Sequence, residues 1–290
     1  LTACNWASQS VMSGMQHVVI AGGIENMTRV PMDIDFYNGE SQLNVRYPNF
    51  VSQGVSAEMI AEKYSQSRQQ LDEYAARSQQ LAGQAWSESR FQKSILPVEV
   101  KPADQDAFTV TQDEHMRPSA TAESLAKLNP VFKEDGVIHA GNSSGIVDGS
   151  AAVLFASEQA VKEYQFTPRA KVISTAIVST DPIIMLLGPI PSIRKALKIA
   201  KLGINDIDLF EINEAFAPVP LAVAEELEIS LDKINVNGGA IAMGHPLGAT
   251  GAMLLGTVLD ELERQDKRYG LVTLCIGLGM GVTMIIDRNV

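Results

Sequence analysis

Residues Asn235 to Thr250 read N-V-N-G-G-A-I-A-M-G-H-P-L-G-A-T, and how this stretch folds governs the rest. One histidine, His245, is pinned there between Gly244 and Pro246. Gly238, Gly239, Gly244 and Gly248 carry no side chain, so the backbone can be approached closely and a bulky group can reach the imidazole. The alternative is a glycine-rich turn feeding a helix from Ala252 to Arg264, with His245 only capping a bend. A phosphate loop is excluded, because Gly244 to Gly251 lacks the Lys-Ser/Thr of the nucleotide-binding pattern.

Downstream, the predicted helix Ala252 to Arg264 leads into a strand from Leu271 to Leu274 and then into Cys275-Ile276-Gly277-Leu278-Gly279. The beginning of the chain has the same grammar: a helix from Leu1 to Ser13 closed by Gly14, a β-branched run from His17 to Ile20, then Ala21-Gly22-Gly23. Two related α/β halves are the reading. With Ala21 laid on Cys275, Leu1 falls on Leu255, already inside the helix, so the counterpart of the His245 loop is expected upstream of Leu1.

Between the halves, Thr28 to His139 changes character and reads as an inserted, partly helical domain. It holds polar loops from Asp33 to Gln53 and amphipathic helices at Ser56 to Tyr64 and Gln69 to Phe91. Leu71, Tyr74, Ala75, Ser78, Leu81, Ala82 and Ala85 form a stripe on the second helix, the spacing of a core face. The segment A-G-N-S-S-G-I-V-D-G-S, Ala140 to Ser150, is either a tight connection into the strand Ala151 to Phe155 or a track along which a thin ligand passes. Beyond it come a strand at Ala170 to Val178, a proline-started helix at Pro189 to Leu202, and a strand at Ile207 to Ile212.

Composition removes several classes of function. A formal charge of -11 and a pI near 4.9 argue against nucleic acid, which needs concentrated basic surface. Val236 to Leu259 lacks charged residues, but its glycines, proline and polar side chains mark buried loop plus helix, not a membrane span. Two distant cysteines, Cys4 and Cys275, make neither a disulfide framework nor a zinc site, and they fit a reducing compartment, the cytoplasm. His17, His115 and His139 have no second ligand at metal spacing.

Two further residues join His245. Asn213 leaves the strand Ile207 to Ile212, where polar groups in α/β proteins point into a crevice, unless it caps the next helix. Cys275 also ends a strand, with Gly277, Gly279 and Gly281 leaving the backbone bare around its sulfur; otherwise it is an inert small hydrophobe.

The motifs N-E-A-F at Asn213 to Phe216, G-H-P-L-G-A-T-G at Gly244 to Gly251 and C-I-G-L-G-M-G at Cys275 to Gly281 resemble those of the thiolases, acyl-CoA:acetyl-CoA C-acyltransferases. The resemblance extends to Val18–Met27, Gly54–Lys63, Ala140–Ala152 and Gly188–Leu197, and so spans the chain. It implies an α/β thiolase fold: two related βαβαβ halves in a five-layered αβαβα arrangement with an inserted loop domain, the first half being incomplete. The implied domains are 1–27 with 147–167 for the first half, 28–146 for the insertion and 168–290 for the second half. By the same resemblance, His245 activates a nucleophilic cysteine and, with a water held by Asn213, binds a thioester oxygen. Cys275 is the general acid/base at the acetyl α-carbon, and the Gly277 N–H is half of an oxyanion hole. Met185 and Phe216 are implied pocket walls, Ala140, Ser144 and Gly145 the pantetheine track, and Arg117 and Ser124 neighbours of the nucleotide end of CoA. The implied partners are acyl-CoA, acetyl-CoA and CoA as substrates, with no metal or redox cofactor, in a homodimer or homotetramer.

Two departures qualify the resemblance. The family's nucleophile lies in N-x-x-C-x-S-G ahead of the helix Leu1 to Ser13, whereas Cys4 is followed by Asn5, Trp6 and Ala7; the nucleophile is therefore expected upstream, and the 290 residues alone are expected to be inactive. Gln53 stands where many members carry a methionine lining the acyl pocket, which leaves chain length open. Without its nucleophile the scaffold could serve as a non-catalytic acyl-CoA-binding protein. Ketoacyl synthases pair two histidines and lack both N-E-A-F and the C-terminal glycine motif.

Overall fold

Residues 1–32, 45–46 and 48–290 are described by a computed structural model; the expected polar loop from Asp33 onward falls largely outside them. Helix α1 (Thr2–Met12) feeds strand β1 (Val18–Glu25). The inserted region contributes α2 (Gln53–Lys63), α3 (Arg68–Ser87), a short ladder of β2 (Val98–Val100) with β3 (Phe108–Val110), and α4 (Ala122–Leu125). Ser52 caps α2, and Ser67 with Gln70 forms a capping box on α3, so both helices start where side-chain oxygens satisfy the free N–H groups of the first turn. Strand β4 (Gly149–Ala156) then returns antiparallel to β1, pairing Val18 with Ala156 and Glu25 with Gly149.

After α5 (Glu158–Tyr164), the second half builds a four-stranded sheet. Its elements are β5 (Lys171–Ser179), α6 (Pro189–Ala200), β6 (Leu209–Ile212), α7 (Pro218–Glu226), α8 (Ala240–Met243), α9 (Leu247–Arg264), β7 (Tyr269–Ile276) and β8 (Met280–Asp287). The strand order is β5-β8-β7-β6, with β6 and β7 parallel and the other pairs antiparallel. The expected repeat is visible: α1 leads into β1 as α9 leads into β7, and each strand has an antiparallel partner, β4 or β8.

Two cores separate the layers. Cys4 and Ala7 of α1 pack with Leu255, Val258 and Leu262 of α9 between the two sheets, against Ala21 and Phe155 on one side and Val272, Leu274 and Met284 on the other. The opposite face of the four-stranded sheet buries Phe210, Ile212 and Ile285 under α6, α7 and the inserted helices α2 and α3, through Ile193, Val219, Ile60 and Leu71. Each such side chain stabilises by about 1.5–3 kcal/mol on full burial, so these clusters hold the insertion to the second half. The result is helix, sheet, helix, sheet, four of the five expected layers among the described residues. The outer face of β1 and β4 remains open at Ile20 (73% exposed), Ile24 (73%) and Leu154 (48%).

Two differences from the sequence reading matter for the site. Helix α9 starts at Leu247 instead of Ala252, so the second half of the glycine-rich motif is helical. The C-terminal glycine motif is a β-hairpin: β7 turns through Gly277–Gly279, with Leu278 at φ 64° and Gly279 at φ 79°, directly into β8.

Candidate active site

Three loops converge at one end of the four-stranded sheet. Asn213 follows β6, Cys275 sits at the hairpin end of β7, and His245 precedes α9. Since β6 and β7 are parallel neighbours, Asn213 and Cys275 emerge on the same side, and the Asn213 N–H donates to Thr273 O at 3.0 Å. Asn213 is 1% exposed and does not cap α7, whose N-cap is Ala217. Its Nδ2 donates instead to His245 Nε2 at 3.2 Å, and its Oδ1 is buried without a hydrogen-bond partner. On the other side of the ring, His245 Nδ1 lies 2.7 Å from Thr250 Oγ1, which donates to Pro246 O at 2.8 Å.

A cavity of about 370 Å³ is lined by His245, Cys275, Gly277, Gln53, Ala215 and Leu186, together with Cys4 and the first residues of α1. It has a size typical of small-molecule sites. A larger cavity of about 1650 Å³ runs along β4 and α9 and contains neither His245 nor Cys275. Burial pushes the Cys275 thiol up to about 12, so it holds its proton at neutral pH. Burial also lowers His245 to about 4, leaving a neutral ring with a basic nitrogen. Cys4 is buried, its thiol pushed up by burial, and no hydrogen bond joins it to His245.

The glycines also admit neighbouring protein to the loop, which the sequence reading did not anticipate. A Cβ on Gly239 would strike the Glu214 carboxylate, and one on Gly244 (φ +90°) would strike Val147. At Gly248 a Cβ would lie 2.4 Å from Ile24 O, and one on Gly23 would lie 1.8 Å from Gly248 O, so β1 and the first turn of α9 touch backbone to backbone. In the C-terminal motif, Gly279 and Gly281 abut other backbone, and Gly277 alone faces the cavity, with a Cβ there 3.4 Å from Gln53 Nε2.

Behind the cavity lies a polar knot centred on Glu214. Its Oε1 accepts from Tyr74 Oη (2.8 Å) and Asn235 Nδ2 (3.0 Å), and its Oε2 accepts from Ser78 Oγ (2.7 Å) and the Ile241 N–H (3.0 Å). Glu214 is fully buried and ties the insertion to both the Asn213 loop and the His245 loop. The sequence reading took Tyr74 and Ser78 as core-stripe residues; their hydroxyls on one face of α3, matched to a carboxylate after an apolar strand, were the missed signal.

The backbone of the Ala140–Ser150 segment bonds to both site loops. Ala217 N–H donates to Asn142 O (2.9 Å), Ser144 N–H to Ala215 O (3.0 Å), Gly145 N–H to Ala240 O (3.3 Å), and His245 N–H to Gly145 O (3.0 Å). Ser144 and Gly145 thereby stitch the Asn213 loop to the His245 loop, while Ala140 is exposed at the far end, in a 3₁₀ turn. That turn is anchored by His139, whose Nε2 donates to Asp72 Oδ1 at 2.7 Å and whose Nδ1 accepts from the Gly141 N–H at 3.0 Å.

Other expected residues lie away from the cavity. Met185 is buried in the second-half core at 1% exposure, and Phe216 packs edge-on against Phe132 with ring centroids 5.8 Å apart; their neighbours Leu186 and Ala215 form the cavity wall instead. The exposed Arg117 turns Nη1 onto the carbonyls of Glu114, His115 and Met116, and Ser124 is engaged in a capping box with Thr121. Among the described residues no group of three or more His, Cys, Asp or Glu side chains could hold a metal, and no helix is long and apolar enough to cross a membrane.

Known proteins match the chain over almost its whole length. Residues 1–159 match the family model of the thiolase N-terminal domain, and residues 166–288 that of the thiolase C-terminal domain. A 3-ketoacyl-CoA thiolase of Vibrio vulnificus is 42% identical over 294 residues, covering 99% of this chain and 76% of the relative. A beta-ketoadipyl-CoA thiolase of Acinetobacter baylyi is 40% identical, over 99% of this chain and 77% of the relative. Among solved structures, the Bacillus anthracis acetyl-CoA acetyltransferase superposes with a TM-score of 0.90 at 36% identity, and human mitochondrial 3-ketoacyl-CoA thiolase with 0.89 at 40%. These structures are matched over 99% of this chain and 75% and 76% of their own lengths. The chain belongs to the thiolase family of acyltransferases and has the thiolase fold.

Proposed function

We propose that the protein carries out CoA-dependent thiolysis of a 3-ketoacyl-CoA, and its reverse condensation, through a cysteine acyl-enzyme, with His245 as base and Cys275 as acid. The observation that carries this reading is the meeting of His245, Cys275 and the Gly277 backbone in one cavity, with Asn213 bonded to the imidazole.

His245 Nε2 takes the proton of the acyl-accepting thiol, and the thiolate attacks C3 of the substrate while donors, the Gly277 N–H among them, hold the oxyanion. The C2–C3 bond breaks, and its electron pair becomes an acetyl-CoA enolate whose oxygen faces His245 and Asn213. Cys275 gives its proton to C2, and acetyl-CoA leaves. The incoming CoA thiol returns a proton to the Cys275 thiolate, and the CoA thiolate attacks the acyl-enzyme to release the shortened acyl-CoA, expelling the carrier thiolate, which takes back the proton held on His245 Nε2. Thiolysis calls for an acid at C2, the state in which burial holds the Cys275 thiol, and condensation calls for a base there.

Neither thiol of the chain is assigned as the acyl carrier. Cys4 is buried and unconnected to His245, and Cys275 is committed to the α-carbon. The carrier in this proposal is the cysteine of the family's N-x-x-C-x-S-G motif, a motif these 290 residues do not contain. No metal or redox cofactor is needed for these steps. A cytoplasmic homodimer or homotetramer acting on acyl-CoA in fatty-acid breakdown completes the proposal.

The test joins intact mass after acetyl-CoA exposure to CoA-dependent cleavage of acetoacetyl-CoA by the full gene product. Expected are no acetyl adduct on Cys4 and cleavage that is lost in Cys275→Ala. Acetylation of Cys4 would overturn the placement of the carrier. Tight CoA binding by the full gene product without any cleavage would replace the catalytic reading with a binding one.

A further inference from the structure

The hydrogen bonds around His245 differ on the two sides of its ring. Thr250 lies in the first turn of α9, and both its N–H (2.9 Å) and its hydroxyl (2.8 Å) are directed at Pro246 O. A hydroxyl has one proton. With that proton given to Pro246 O, the oxygen facing His245 Nδ1 at 2.7 Å is an acceptor, and Nδ1 must carry the ring proton. Nε2 is then unprotonated and accepts from Asn213 Nδ2 at 3.2 Å.

The opposite arrangement costs more. If the hydroxyl turned to donate to Nδ1, Nε2 would carry the proton and Asn213 would have to present its oxygen. The Asn213 amide would then flip, placing its NH₂ where the buried Oδ1 now has no partner. Buried N–H groups left without an acceptor are rarer in proteins than under-satisfied oxygens. The fixed helix turn at Pro246–Thr250 and the burial of Asn213 thus select the same tautomer.

The geometry points to Thr250 as a positioning residue that holds the His245 proton on Nδ1, so that Nε2 is the nitrogen that exchanges protons with thiols. This deepens the acyl-transfer reading and rests on it for its chemical meaning. When Nε2 accepts a proton, the Nδ1–H is already tied through Thr250 to Pro246 O, so the ring keeps its orientation as it becomes charged. Replacing Thr250 by valine preserves shape and removes the acceptor, and the ring is then free to move its proton to Nε2, where it can no longer act as a base.

The protein contains its own reference for the experiment. His139 has the reverse pattern, with Nδ1 accepting from Gly141 and Nε2 facing Asp72, so its proton sits on Nε2. Long-range proton–nitrogen correlation spectra of the ring-labelled protein at neutral pH read both rings at once, His245 being identified by the signal missing in His245→Gln. The expected result is proton on Nδ1 for His245 and on Nε2 for His139 in the wild type and in Thr250→Ser, with His245 shifting toward the Nε2 form in Thr250→Val. An unchanged His139 signal certifies that the variant is folded; should Thr250→Val not fold, Thr250→Ala takes its place. A wild-type His245 protonated on Nε2 overturns the proposal, as does a folded Thr250→Val or Thr250→Ala that keeps the Nδ1 form. In the active gene product Thr250→Val should lower kcat by about 10²-fold or more with little change in KM, and Thr250→Ser should restore it. The spectra do not depend on turnover, so a protein without acyl-transfer activity but with the expected tautomers would sink the functional reading and leave the tautomer assignment standing.

Discussion

Asn213 and Glu214 are consecutive, both buried and both polar, yet their surroundings are opposite. Glu214 has every acceptor site engaged by a hydroxyl, an amide or a backbone N–H, and it holds the insertion to two loops of the second half. Asn213 makes one side-chain hydrogen bond, to a titratable ring, and leaves its oxygen unmatched. A saturated polar group has nothing left to offer a substrate and so does structural work, whereas an unsaturated one beside a cavity is available for chemistry. The contrast separates scaffold from site without reference to any relative.

The largest effect should come from breaking the saturated member. Glu214→Ala leaves Tyr74, Ser78, Asn235 and the Ile241 N–H without a shared acceptor, and it should cost about 4 kcal/mol of stability in urea unfolding. A loss under about 1 kcal/mol would show that the knot is not what binds the insertion. Asn213→Ala should do the reverse, lowering kcat for 3-ketoacyl-CoA thiolysis by about 10²- to 10³-fold while the urea midpoint barely moves. A destabilisation like that of Glu214→Ala would erase the distinction.

The next effect is a pH dependence. His245 in the folded protein titrates near 4, below its ordinary 6.5, because burial disfavours the charged ring. The unfolded chain therefore takes up the proton first as pH falls. Stability from this group is full above about 6.5 and is lost between there and about 4, by on the order of 2–3 kcal/mol. Urea midpoints of wild type and His245→Gln across that window should converge as pH falls, and parallel curves would refute the assignment.

The smallest effect concerns Glu211, two residues before Asn213, which faces the same buried region with one oxygen unsatisfied. Burial first, and then the neighbouring Glu214 and Glu261, push its carboxyl well above the usual carboxylate range. The folded state keeps a proton that the unfolded chain releases, so stability declines as pH rises above the ordinary carboxylate range. Glu211→Gln should raise Tm at pH 8 by about 2–4 °C and have little effect at pH 5, as differential scanning calorimetry would read.

Much of this arrangement was legible in the residues. The paired helix–strand grammar, the inserted helical region and the convergence of Asn213, His245 and Cys275 all followed from periodicity and from where motifs left strands. What escaped did so for local reasons. Helix α9 begins at Leu247 because Gly248 and Gly251 serve close backbone packing, and tertiary contact overrides their poor helix propensity. Strand β8 went unread because Leu278 takes a left-handed turn that no spacing rule anticipates. Thr250 and Glu214 were invisible because their importance lies in partners distant in sequence or a helical turn away. Arg117 and Ser124, which the resemblance placed near the nucleotide end of CoA, are engaged with their own loops.

The contact between Gly23 and Gly248 sets a limit on how this protein can vary. An alanine at either position meets main-chain atoms of the other segment, and main chain cannot be trimmed by a second mutation. A clash between side chains can be relieved by shrinking one partner; this one has no such suppressor. The two positions are therefore frozen independently of each other, and an alanine at Gly23 would force β1 away from the turn that carries the histidine.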